Sequence, residues 1–105
     1  MSEQLVDQAD RLVDRLRAMP AARLARAIDG EPTVADSAHA LAQVLADLAA
    51  DVEGRPRREV PRLTDFAVGD QVAVALHELV AAVGDREHMA LAVALLAVQE
   101  LRDRL

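Results

Sequence analysis

Apolar residues recur along most of this chain at steps of three and four. Leu5, Ala9, Leu12, Leu16 and Met19 fall on one side of a helix at about 100° per residue, and Val6 and Val13 widen that stripe. Asp7 and Arg11 sit four residues apart on the wet side, a favourable helical pair. Pro20 suits the first turn of a new helix better than an interior position, so a break there and a short helix carrying Leu24 and Ile28 are predicted, stopped by Gly30 and Pro32.

Thr33 followed by Asp36 resembles a capping box and opens a second long helix with Val34, Ala38, Leu41, Leu45, Leu48 and Val52 on its apolar side. Asp36, His39, Gln43 and Asp47 lie on the other side, and Gly54 with Pro56 ends the run. Residues 55–62 (RPRREVPR) predict an extended, exposed connection. Gly69 reads as a break, and Asp70 as the start of a third long helix with the seam Val72, Leu76, Leu79 and Val83. Gly84-Asp85 reads as a stop and restart, with Asp85 as the next N-cap. The short link makes the third and fourth helices an antiparallel hairpin. No segment shows the alternation of a half-buried strand. The prediction is an all-α, single-domain four-helix bundle with an extra short helix after the first.

The fourth helix departs from the usual pattern. Met89–Val98 (MALAVALLAV) holds ten residues without a polar side chain. Met89, Val93 and Leu96 share one face; Leu91, Leu95 and Val98 fall on nearly the opposite one. A surface helix normally keeps one side polar, so a helix apolar all round needs cover all round. Met89, Leu91, Val93, Leu95, Leu96 and Val98 are therefore the candidate interface, with a second copy of this chain or another helical protein as the partner. At 1.5 Å per residue the stretch measures roughly 15 Å, half of a bilayer core, and no membrane span is expected.

Composition narrows the chemistry. The 105 residues include no cysteine, which excludes disulfides and thiolate metal sites. All 12 basic residues are arginine, and the net charge of −6 opposes general attraction to nucleic acid or anionic membranes. Phe66 is the single aromatic, too little for base stacking or an ammonium cage. The N-terminus, MSEQLVDQAD, is acidic and polar, unlike a secretory signal, so a cytoplasmic protein is expected.

Two Asp-x-x-His pairs, Asp36 with His39 and Asp85 with His88, have metal-ligand spacing at helix starts. In an up-down bundle the two pairs would lie at one end, yet Asp at a helix N-terminus is explained by the dipole alone. Asp36-Ser37 at a helix start is similar to the attachment site of acyl carrier proteins. Here Val34-Ala35 precede and Ala38 follows, in place of that family's Gly-x-Asp lead-in and large apolar successor. No cofactor, metal or catalytic site is therefore expected. The remaining polar candidate is Arg55, Arg57, Arg58 and Arg62, which with Glu59 give the connection a net +3 and suit an anionic partner. The bland alternative is a solvated linker folded back on the acidic second helix. The seams hold only Leu, Val, Ala, Met and Ile, so a dry core offers no room for polar catalysis.

Overall fold

In the computed structural model, which describes residues 2–27 and 32–105, four long helices and one short one pack around a single core. They are α1 (Ser2–Arg17), α2 (Ala21–Leu24), α3 (Val34–Glu53), α4 (Val68–Val83) and α5 (Met89–Arg104). A 3-10 turn, Asp65–Ala67, leads into α4. Among the described residues there is no strand, only an isolated antiparallel bridge between Ala27 and Thr33.

Local chemistry sets several boundaries. Pro20, with an extended backbone, starts α2, whose Leu24 is fully buried. Ile28 and Gly30 lie outside the described residues. Thr33 caps α3 by accepting from the Asp36 N–H at 3.1 Å. Gly54 ends α3 at φ 68°, the left-handed conformation that a Cβ disfavours. The Asp7–Arg11 pair forms at 3.2 Å.

Two boundaries correct the sequence expectation. Gly69 does not break the helix but is buried inside the first turn of α4. A Cβ there would lie 3.0 Å from Arg17 Cγ and 3.5 Å from the Arg17 nitrogen, so glycine lets the end of α1 close onto α4. Asp85 is not the cap of α5; His88 is, its Nδ1 accepting the Ala90 N–H at 2.9 Å.

The course of the connection fixes the topology. Arg57 pairs with Asp51 and Asp47, Gln43 bonds Arg58 and Val60, and Arg62 pairs with Asp36. The segment thus runs back along α3 from its end to its start, and α4 sets out beside α3 in the same direction. Arg17 at the end of α1 bonds Asp70 at the start of α4, so those two helices are antiparallel. Gln8 meets Gln99 and Arg102, and Arg23 donates to the Leu105 carbonyl, so α1 and α5 run together. The bundle is up-down-down-up.

Each long helix packs chiefly on two others: α3 most extensively on α4, with the pairs α1–α4, α1–α5 and α3–α5 completing the ring. α4 and α5 do run in opposite directions, as so short a link requires, but across the diagonal of the bundle and not as a face-packed hairpin. With neighbours 8–10 Å apart a diagonal spans roughly 11–14 Å. Residues 84–88 bridge that at about 3.3–3.6 Å each. The interior is Leu, Val, Ala and Met, with no buried polar or charged residue among those described.

Candidate interaction surfaces

The two faces of α5 have different fates. Leu91, Ala94, Val98 and Leu101 are buried in the chain's own core, and Leu95 is half-buried against it. Leu91 and Val98 therefore leave the candidate interface: α1 and α3 already cover that side. Met89, Val93 and Leu96 remain uncovered, at 78%, 41% and 62% exposure. They form one continuous ridge at 4-3 spacing that Glu100 and Asp103, both exposed, extend toward the helix end. Val44 of α3, also exposed, lies beside Ala97 at the flank of that ridge.

A second apolar area surrounds the connection. Leu63, Phe66 and Val74 are exposed, and Phe66 is the chain's only aromatic. Next to them a groove of about 740 Å³ is lined by Ala46, Val60, Leu63, Gln71, Val74 and Ala75 among others. Small alanines on α3 and α4 open this groove. The Gln71 amide nitrogen donates to the Pro61 carbonyl at 2.7 Å, while its buried Oε1 has no partner.

The connection is held by side chains from the polar side of α3. Gln43 reads two of its backbone groups, donating to the Arg58 carbonyl at 2.9 Å and accepting from the Val60 N–H at 2.7 Å. His39 Nε2 lies 2.8 Å from the Val60 carbonyl and donates to it. Among the arginines, Arg57 forks onto Asp51 at 2.7 and 3.0 Å. Arg62 spans Asp36 and Asp65 at 2.9 and 2.8 Å. Arg55 has a longer contact with Glu53 at 3.4 Å. Arg58 makes no ion pair among the described residues. The Arg62 hydrogen bond holds the Asp36 carboxyl below its usual range, and Arg57 does the same for Asp51.

The Asp-x-x-His pairs do not meet. α3 starts beside Arg104 at the far end of α5, so Asp36 and His39 lie a helix length, roughly 24 Å, from His88. His39 is committed to the connection and His88 to its cap. No group of three or more metal-ligating side chains comes together among the described residues. Ser37 is half-buried in a groove with Leu101 and Arg104. One helical stretch, Asp65–Val83, is long and apolar enough by length and composition to cross a membrane, and its buried face packs into this core. Comparison with protein-family models, with curated proteins and with solved structures finds no match to this chain.

Proposed function

We propose that this chain is a small non-catalytic interaction protein of the cytoplasm that pairs with a second copy of itself along α5. The observation that carries the proposal is the ridge of Met89, Val93 and Leu96, left exposed on a helix whose other face is core. Folding gains nothing from the parts of these three aliphatic side chains left in water, whereas a partner surface gains from each of them. Two-fold pairing is the commonest way to close such a surface.

Scaling roughly 2 kcal/mol for full burial of an aliphatic side chain by these exposures gives about 3.5 kcal/mol per protomer and about 7 kcal/mol for a symmetric pair. Association costs an estimated 4–15 kcal/mol. The ridge alone therefore supports a weak, concentration-dependent dimer, and Val44 at its flank adds to the contact.

Contact with nucleic acid or another anionic partner through the connection has less support. Its arginines Arg57 and Arg62 are spent on α3 and on Asp65, and Arg58 alone keeps an unengaged charge.

Sedimentation equilibrium from micromolar to millimolar protein tests the proposal. Dimer should accumulate over that range, and Leu96→Ser should shift the midpoint to higher concentration without changing the helical circular dichroism. A chain that is monomeric throughout removes self-pairing.

A further inference from the structure

We infer that the two α5 helices of that pair lie antiparallel, about a two-fold axis midway between Val93 and Leu96. The inference rests on the self-pairing proposed above and adds to it which end meets which. The exposed seam reads Met89, Val93, Leu96, Glu100, Asp103, three apolar positions followed by two acidic ones.

A parallel pair sets Glu100 against Glu100 and Asp103 against Asp103, like charges held side by side where they repel. An antiparallel pair sets Val93 against the other copy's Leu96 and lays Met89 along the methylenes of Glu100. It also carries both acids toward the start of the opposite α5, the positive end of that helix dipole.

The charges flanking the seam match the same orientation. Asp85 and Arg86, ahead of α5, are minus and plus; Asp103 and Arg104, at its end, are minus and plus, and all four are exposed, whereas Arg102 turns to Gln8 of α1. Turning one helix end for end brings Asp85 level with Arg104 and Arg86 with Asp103. A parallel pair brings each level with its own kind. Arg86 is anchored by its bonds to the Ala82 and Val83 carbonyls, and Asp103 already has Arg102 at 3.0 Å, so both charges are held at the two ends of the seam.

The absence of cysteine makes the test clean. Met89→Cys and Glu100→Cys are made separately in the full chain and oxidised alone and as an equimolar mixture, at concentrations where sedimentation shows dimer. Positions 89 and 100 are adjacent between antiparallel copies, whereas 89 and 89 are then roughly 16 Å apart along the axis, beyond disulfide reach. The expected result is a covalent 89–100 heterodimer in the mixture, read by intact mass, and little crosslinking of either variant alone. Homodimers of each variant, with none mixed, overturn the antiparallel orientation while leaving self-pairing intact. A sedimenting dimer that crosslinks in no combination overturns the α5 register. Monomer by sedimentation in the wild type as well overturns the pairing itself.

Discussion

Gln43→Leu is the substitution that best separates how the 55–62 connection is held from how it is charged. Leucine keeps the volume and helix propensity of the site but deletes both amide contacts to the connection, the Val60 N–H at 2.7 Å and the Arg58 carbonyl at 2.9 Å. Val60 is half-buried, so its N–H is only partly recovered by water, while the exposed Arg58 carbonyl finds solvent readily. With about 1–3 kcal/mol for stranding a buried partner and about 0.5–1.5 kcal/mol for a typical bond, the loss comes to about 2 kcal/mol. In urea that lowers the midpoint by about 1 M at the slope of a small domain. There is no Trp or Tyr, so unfolding is followed by far-ultraviolet circular dichroism. Limited trypsin digestion gives an independent readout at Arg58. If cleavage goes through opening of the connection, about 2 kcal/mol raises its rate roughly thirtyfold. Arg57→Gln should do much less to either measurement, since its pair with Asp51 is exposed and screened by water. An unchanged urea midpoint and an unchanged Arg58 cleavage rate in Gln43→Leu would refute the claim that this amide holds the connection.

Three further outcomes are expected. Gly54→Ala should destabilise by about 1–2 kcal/mol in a thermal melt through backbone strain alone, because φ is 68° and nothing lies within 4 Å of the missing Cβ. His88→Ala should cost about 1 kcal/mol by removing the acceptor for the Ala90 N–H, and His88→Asn should restore most of it. Asp36 and Asp51 have carboxyls held low in the folded state by Arg62 and Arg57, so their contribution is present above the ordinary carboxylate value of 3.8. It is lost as the pH falls through their lowered folded values. These two pairs should therefore make stability in denaturant titrations decline below about pH 4, with added salt blunting the difference.

The features legible in the sequence were those whose causes are local. Thr33 and Gly54 mark the ends of α3 because capping and left-handed termination need only neighbouring residues. The 3.6-residue stripes of α1, α3 and α4 name their buried faces correctly, since burial follows periodicity wherever one side is polar. Position 85 misled because Asp is the commoner cap, yet the chain turns through Gly84 and resumes its helix only at Met89, where His88 is in reach. Gly69 misled because its reason is a neighbour 52 positions away, Arg17, and not its own turn.

The direction of α4 was least legible. Proline and arginine say that residues 55–62 are extended, but not that Gln43, His39 and Gln71 draw them back along α3. For α5 the pattern announced an excess of apolar surface without saying which half the chain would keep. The answer depends on α1 and α3, which converge on Leu91, Ala94 and Val98 and leave Met89, Val93 and Leu96 outside.

The hydrogen bond from Gln99 to Gln8 joins residues 91 positions apart, and its two helices lie side by side. During synthesis α1, α3 and α4 exist before α5 emerges, with a trough of aliphatic side chains where Val98 and Leu101 will later sit. α5 is thus the keystone of the core, and a nascent chain that has not yet made it carries that trough open to solvent, when aggregation competes with closure.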